Sequence, residues 1–217
     1  MHNSSENLSA LVAVLEQHQI QLAEEQLVTL DHYRRTLWQW NEKLNLTRHL
    51  SIEKFVGRDI IDSLVIEPFL EPGERVLDVG TGGGVPGMVL AIIRPDLSMT
   101  LSESVAKRAA AATAIVQTVG IPAKVVHGRA EDLVRTESFD SLTLRAVARL
   151  AKILNWFEPH WDAIGKLLII KGPAWVEERK EAQRAGLLQH LDLRVLAEYP
   201  HAENKSQSVL LRVRPKG

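Results

Sequence analysis

An apolar strand that runs directly into a glycine-rich loop is the strongest constraint on the fold of this chain. Residues 75–79, RVLDV, have the character of a buried strand, and five glycines follow within positions 80–87. Glycine lets the backbone adopt positive φ angles and approach a ligand closely. In a parallel sheet such a loop lies at the carboxyl end of a strand, where ligands bind. The segment therefore predicts a strand, loop and helix that together hold a ligand.

The chain beyond residue 70 continues to alternate between strand and helix patterns. Short apolar runs predict strands at 75–79, 98–102, 124–127, 141–144, 166–170, 192–198 and 208–213. Helical patterns occupy 87–93, 105–119, 148–161 and 175–188. This alternation predicts a mainly parallel α/β sheet. The last two strands should pair antiparallel, because the link at 199–207 is too short for a helical crossover.

The chain before residue 70 is expected to be helical. Apolar residues recur at helical spacing, as at Leu30, Tyr33 and Leu37, with few glycine or proline breaks. We therefore expect an N-terminal helical cap, 1–70, and an α/β domain, 71–217, that form one compact unit.

Composition excludes several classes of function. Without cysteine the chain has no disulfides, no thiolate metal site and no cysteine nucleophile. Its eight histidines lack metal-ligand spacing, so no metal is expected. The net charge of −1 differs from that of basic proteins that coat nucleic acid. No apolar run approaches a membrane span and no signal peptide is evident, which predicts a cytoplasmic protein, expected to be a monomer.

Two cofactors could use the glycine loop. Gly82-x-Gly84-x-x-Gly87 matches the dinucleotide fingerprint, and Glu103 lies near the offset of a ribose-binding acid. However, Asp78 stands two residues before Gly80, within the strand. A carboxylate repels a pyrophosphate but attracts the amino group of S-adenosylmethionine. Asp78 therefore favours S-adenosylmethionine, while an NAD-dependent oxidoreductase and a plain strand-to-helix turn stay open.

Basic residues follow three successive predicted strands. Arg129, Arg145 and Lys171 come after the third, fourth and fifth strands, so they should lie along one edge of the sheet. Like charges beside a cleft are unfavourable unless an anion binds, which predicts a phosphate-bearing substrate. The alternative is that they pair with carboxylates, for which Glu103, Glu131 and Asp140 are the candidates.

If the cofactor is S-adenosylmethionine, the absence of certain residues and motifs limits which groups could accept the methyl. The absence of cysteine excludes covalent C5-cytosine methylation. Leu144-Arg145-Ala146 replaces the Asn/Asp-Pro-Pro-aromatic turn common in enzymes that methylate exocyclic amines. Ring nitrogens, ribose hydroxyls and small molecules remain. Guanine N7 has a free lone pair and no proton to remove, so its methylation needs no general base.

Several motifs together resemble one family, the RsmG (GidB) methyltransferases, which act on guanine N7 in bacterial 16S ribosomal RNA. The motifs are WNEKLNLT at 40–47, RDIIDSL at 58–64, VLDVGTGGGVPG at 76–87, RAEDL at 129–133, LRAVARL at 144–150 and the pair Lys171-Gly172. The resemblance implies a class I S-adenosylmethionine-dependent methyltransferase (Rossmann-like) sheet, mostly parallel with one antiparallel strand, and an N-terminal helical cap. It also implies S-adenosyl-L-methionine as cofactor, and ribosomal RNA or the small ribosomal subunit as partner.

The same resemblance implies roles for individual residues. Those expected at the cofactor, with Asp78 added from the argument above, are Asp78, Gly80, Gly82, Val85, Glu103, Ala130, Glu131 and Arg145. Those expected to face RNA are Asn45, Arg58, Arg129 and Lys171, and the catalytic set is Arg145, Lys171 and Asn45. Asp59 stands where relatives usually carry histidine, and the helix after Arg108 is alanine-rich. These departures keep a non-catalytic ribosome-assembly factor as a further alternative.

Overall fold

A seven-stranded sheet forms the centre of the protein, whose computed structural model describes residues 2–200 and 207–216. The strands are β1 Arg75–Val79, β2 Ser98–Glu103, β3 Ala123–His127, β4 Phe139–Arg145, β5 Ile164–Lys171, β6 Leu191–Pro200 and β7 Gln207–Pro215. Their order across the sheet is β3-β2-β1-β4-β5-β7-β6. Strand β7 is antiparallel to both neighbours and the other pairs are parallel. The predicted mostly parallel sheet with one antiparallel strand is confirmed, while the link between β6 and β7, at 201–206, lies outside the described residues.

Helices pack on both faces of this sheet. They are α1 His2–Gln17, α2 Glu24–Leu44, α3 Ile52–Lys54, α4 Ile61–Ile66, α5 Gly87–Ile93, α6 Ala106–Val119, α7 Ala130–Leu133, α8 Leu150–Phe157 and α9 Trp175–Arg184. A π-helical segment, Phe55–Ile60, connects α3 to α4. None of the helices in the described part of the chain is long and apolar enough to cross a membrane.

Two helices are shorter than the sequence predicts, each for a local reason. The pattern at 148–161 predicts one helix, but α8 begins only at Leu150, because Arg149 is extended with a ψ of 150°. At its other end a 3-10 segment replaces the α-helix from Glu158, next to Pro159. The pattern at 175–188 predicts a helix that instead ends at Arg184, because Gly186 adopts a positive φ of 75°.

The core consists of two apolar clusters, one on each face of the sheet. Successive residues of a strand point to opposite faces, so Val76 and Asp78 face one cluster while Leu77 and Val79 face the other. The cluster on the Asp78 face joins Leu11 of α1 and Leu37 of α2 to the apolar residues of α5. Burying one such leucine stabilises the fold by roughly 1.5–3 kcal/mol. The N-terminal helices and one face of the sheet therefore share the cluster on the Asp78 face.

Candidate functional site

The glycine loop between β1 and α5 lies at the carboxyl end of β1, with helix α2 packed against it. Gly80 and Gly82 have φ angles of 65° and 53°, where L side chains are strained. The Thr81 N–H donates to the Ser102 carbonyl at 2.9 Å, which joins the loop to β2. The Tyr33 hydroxyl of α2 donates to the Gly83 carbonyl at 2.7 Å. The helical cap is thus in direct contact with the loop.

Glu103, at the end of β2, fixes the loop from the other side. Its Oε2 accepts from the Gly82 N–H at 3.1 Å and its Oε1 accepts from the Val105 N–H at 2.9 Å. The side chain is buried. A carboxylate has about four lone-pair positions, so Glu103 can still accept from hydroxyl groups of a ligand.

Asp78 lies beneath the loop and lines neither of the clefts described below. It is 1 % exposed, and its Oδ1 accepts from the Thr143 hydroxyl at 2.8 Å. Burial raises the pKa of Asp78 to about 6, although the hydrogen bond from Thr143 opposes this shift. Gly87 packs so closely on this carboxylate that a Cβ there would collide with it. The direct contact to a cofactor that the sequence suggested stays a prediction, and the burial favours a supporting role instead.

Two clefts open at the carboxyl edge of the sheet and meet at Gly80. The larger, of about 240 Å³, lies over the ends of β1, β2, β3 and β4; its lining includes Ser104, Ala130, Glu131, Val147, Lys152 and Trp156. The smaller, of about 160 Å³, is lined by Leu37, Leu46, Thr47, Gly80, Thr81, Gly82, Gly83, Val85, Arg145 and Ala146. Between β1 and β4 the strand order reverses, which is where ligands bind in open parallel sheets.

The structure brings most of the expected cofactor residues together at these clefts. Gly80, Ala130 and Glu131 line the larger one, while Gly82, Val85 and Arg145 line the smaller one. Asn45 follows the last residue of α2, has a left-handed φ of 46° and is exposed. It does not line the smaller cleft, but its neighbour Leu46 does.

Sequence reasoning missed two residues of helix α8. Lys152 and Trp156 both line the larger cleft, and the Lys152 ammonium lies 5.5 Å from the centre of the Trp156 ring. Their spacing of four residues, in a predicted helix that follows β4, was the available signal.

Arg145 is paired, which corrects the expectation of a free cation at the sheet edge. Its Nη2 donates to Asp59 at 2.6 Å and its Nη1 donates to Asp62 at 3.1 Å. Both aspartates precede the sheet in sequence, so neither was among the expected partners. Arg58, whose side chain is 27 % exposed, lies 4.0 Å from Asp62.

Lys171 is also paired, which is a second correction to the predicted cationic edge. Its side chain is 10 % exposed, and its Nζ donates to Glu178 of α9 at 2.6 Å and to the Ala148 carbonyl at 2.5 Å. Arg129 also pairs, with the expected partner Glu131 at 3.4 Å, but its side chain is 69 % exposed, unlike those of Arg145 and Lys171. Of the three cations, Arg129 is the one placed to meet an external anion.

The sheet order, the single antiparallel strand and the glycine loop after β1 define the fold of class I methyltransferases. Two crystal structures share this fold. One is an O-methyltransferase from Bacillus cereus in complex with SAH, which has a TM-score of 0.58 and 16% identity and covers 84% of this chain and 90% of that one. The other is a methyltransferase from Pyrococcus furiosus, which has a TM-score of 0.57 and 14% identity and covers 84% of this chain and 98% of that one.

Sequence comparison identifies the family within that class. Residues 26–208 match the family described as rRNA small subunit methyltransferase G, GidB, and the chain belongs to this family. Ribosomal RNA small subunit methyltransferase G of Rhodopirellula baltica is 46% identical over 186 residues, which cover 86% of this chain and 80% of that protein. The protein of the same name from Clostridium novyi is 37% identical over 160 residues, covering 70% and 66%. The resemblance read from the motifs is confirmed, and the oxidoreductase alternative is not supported.

Proposed function

We propose that this protein transfers a methyl group from S-adenosylmethionine to N7 of a guanine in 16S ribosomal RNA. Membership of the family supports methylation of small-subunit ribosomal RNA. The composition of the smaller cleft supports the choice of a ring nitrogen. The proposed substrate is ribosomal RNA or the small ribosomal subunit, met in the cytoplasm.

The site fits S-adenosylmethionine in shape and in chemistry. Either cleft alone is smaller than the roughly 300–1,000 Å³ typical of small-ligand pockets, but the two together reach that range. A ligand that spans both would cross the loop at Gly80, where the absence of a side chain lets it lie against the backbone. The buried carboxylate of Glu103 lines neither cleft, but it accepts from Gly82 of the smaller cleft, and its chain neighbours Ser102 and Ser104 line the larger one.

Each expected residue has a role in this arrangement. Glu103 would accept from the ribose hydroxyls, and Ala130 and Glu131 would meet the adenine in the larger cleft. Gly80, Gly82 and Val85 would hold the amino-acid end in the smaller cleft. Asp78 would act from below, by holding Thr143 and the start of α5 in place.

The smaller cleft supports an acceptor that needs no general base. When bound, S-adenosylmethionine supplies an electrophilic methyl group on its sulfonium. Among the residues that the structure describes, those lining the smaller cleft include no carboxylate and no imidazole. A hydroxyl or an amine acceptor would need a proton acceptor there, whereas guanine N7 attacks through its lone pair. The chain's task is then to align that nitrogen with the methyl group and to exclude water.

Cations around the clefts would serve RNA in different ways. Arg145 uses one N–H of each Nη on Asp59 and Asp62, and its remaining donors are free to face an acceptor in the smaller cleft. Arg129 would contact phosphate from the sheet domain, and Arg58 and Asn45 would contact RNA from the cap. Lys171 would act indirectly, because its bonds join the end of β5 to the loop that carries Ala148 and to α9.

Transfer of labelled methyl from S-adenosylmethionine to small-subunit RNA, followed by mass mapping, tests the proposal. The expected product is 7-methylguanine at one position, formed in a single turnover. Label on a ribose or on an exocyclic amine would refute the ring-nitrogen assignment. No transfer, despite calorimetric binding of S-adenosylhomocysteine, would instead favour a non-catalytic assembly factor.

A further inference from the structure

A buried ionic cluster connects three distant parts of the chain beside the smaller cleft. Asp59 of the π-helical segment and Asp62 of α4 are each 1 % exposed. Arg145, at the end of β4, donates to both. The Tyr199 hydroxyl of β6 donates to Asp62 Oδ1 at 2.7 Å. We call these four residues, together with His49, the Asp59 cluster.

Asp59 is the branching point of this cluster. Its Oδ1 is hydrogen-bonded to His49 Nδ1 at 2.8 Å and to Arg145 Nη2 at 2.6 Å. Its Oδ2 is buried and has no hydrogen-bond partner among the described residues. A single carboxylate oxygen thus holds one group from the cap and one from the sheet.

His49 connects Asp59 to residues in the wall of the smaller cleft. The Trp38 indole N–H donates to the His49 carbonyl at 2.9 Å, and the His49 N–H lies 3.0 Å from the Thr47 hydroxyl that accepts it. Thr47 and Leu46 line the smaller cleft on the cap side, and Arg145 lines it on the sheet side. The two walls are therefore linked through Asp59.

We infer that Asp59 is a positioning residue that sets the width of the smaller cleft, and thereby the alignment of the acceptor base, by holding Arg145 and the loop at 46–49 together. The inference rests on the proposed function. Charge-assisted hydrogen bonds are short and directional, so a carboxylate shared by two donors fixes both in relation to each other. The larger cleft has no residue of the cluster in its lining and would keep its affinity for the adenosine part of the cofactor.

Asp59→Asn tests this directly, since it keeps the shape of the side chain and removes its charge. Because the hydrogen bonds to Arg145 and His49 lose the negative charge that strengthens them, kcat for RNA methylation should fall by about 10-fold or more. The Kd for S-adenosylhomocysteine should stay within about twofold of wild type, because the glycine loop that would hold its amino-acid end is fixed by Glu103 and Ser102 and not by the Asp59 cluster, and the larger cleft has no residue of the cluster in its lining. Asp162→Asn, an exposed aspartate of the 3-10 segment before β5, is the matched control.

His49→Ala provides a second variant, because it removes only the link from Asp59 to the loop at 46–49 and keeps the pair of Asp59 and Arg145. It should lower kcat by about 5-fold, with the same unchanged affinity for S-adenosylhomocysteine. The double variant should lose less than the product of the two single losses, since both act through one contact. This coupling also tests the inference if Asp59→Asn folds poorly.

Three results would overturn the inference. One is a kcat for His49→Ala and Asp59→Asn that matches the Asp162→Asn control. Another is a loss of S-adenosylhomocysteine affinity in parallel with kcat, which would mean a general loss of structure. The third is full multiplicativity in the double variant. Failure of the wild-type protein to methylate RNA would refute the proposed function and this inference with it, so the two failures are distinguishable.

Discussion

The buried carboxylate of Asp78 should make the protein less stable as the pH rises. Its pKa is about 6 in the folded protein, against an ordinary value of 3.8, because burial disfavours the charged form. The native state therefore keeps a proton that the unfolded chain releases between these two values, and the free energy of unfolding falls over that interval. Two pKa units correspond to about 3 kcal/mol, all of it retained below pH 3.8 and lost above pH 6.

Asp78→Asn removes this titration and keeps an acceptor for the Thr143 hydroxyl. We expect the stability of the variant relative to wild type to rise by about 2 kcal/mol between pH 4 and pH 7, slightly less than the full difference, because part of the unfolded-state titration lies below pH 4. Urea denaturation at a series of pH values measures this. Other carboxylates titrate in both proteins and cancel in the comparison.

Asp162→Asn is the control for this experiment, because it removes an exposed carboxylate. Its stability relative to wild type should vary little with pH. If the pH profiles of Asp78→Asn and wild type ran parallel, the reasoning from burial would be wrong. A relative stability that fell with rising pH would show that Asp78 is better stabilised as an anion, as expected of a direct partner for a cationic ligand.

Three further predictions concern binding. Gly82→Val should abolish binding of S-adenosylhomocysteine in calorimetry, because it strains the loop at a φ of 53° and adds a branched side chain to the smaller cleft. Gly120→Val, with a φ of 77° at the end of α6 and away from both clefts, should lower stability but leave that affinity intact. Arg129→Ala should reduce the slope of log affinity for RNA against log salt by about 0.7–0.9, the share of one phosphate contact, and an unchanged slope would remove Arg129 from the RNA interface. Lys171→Ala should leave that slope unchanged and lower the stability by about 3–5 kcal/mol, because it removes the cation paired with buried Glu178, which then keeps only the hydrogen bond from the Leu150 N–H; a reduced salt slope with normal stability would restore Lys171 as a direct RNA contact.

Local patterns in the sequence were enough to predict the elements that carry the cofactor loop. Strand β1 and helix α5 begin and end at the predicted residues, because an apolar run, a glycine cluster and a second apolar run mark them unambiguously. The glycine cluster indicated that the loop uses positive φ angles, but not which of its five glycines adopt them, which are Gly80, Gly82 and Gly84. Predictions failed at 148–161, where the change from α-helix to 3-10 helix depends on packing as well as on Pro159.

The charge partners could not be predicted from local patterns. Arg145 and Asp59 are 86 positions apart, and only the folded chain brings the π-helical segment to the end of β4. Lys171 and Glu178 are seven residues apart, yet they meet because the chain reverses between β5 and α9. The end of a strand predicts where a cation will lie. Whether that cation is available to bind a ligand depends on carboxylates from other parts of the chain.

The contact between Tyr33 and Gly83 bears on how the chain folds during its synthesis. Translation proceeds from the N-terminus, so α1 and α2 emerge before the strand and helix that flank the glycine loop exist. Their apolar residues, such as Leu11 and Leu37, contact other residues of the cap, but the cluster that buries them also needs the apolar residues of α5. Isolated helices of this length are marginally stable in water. The final packing of the cap therefore needs residues of the sheet domain, and the bond from Tyr33 to the glycine loop can form only after Gly83 has been made.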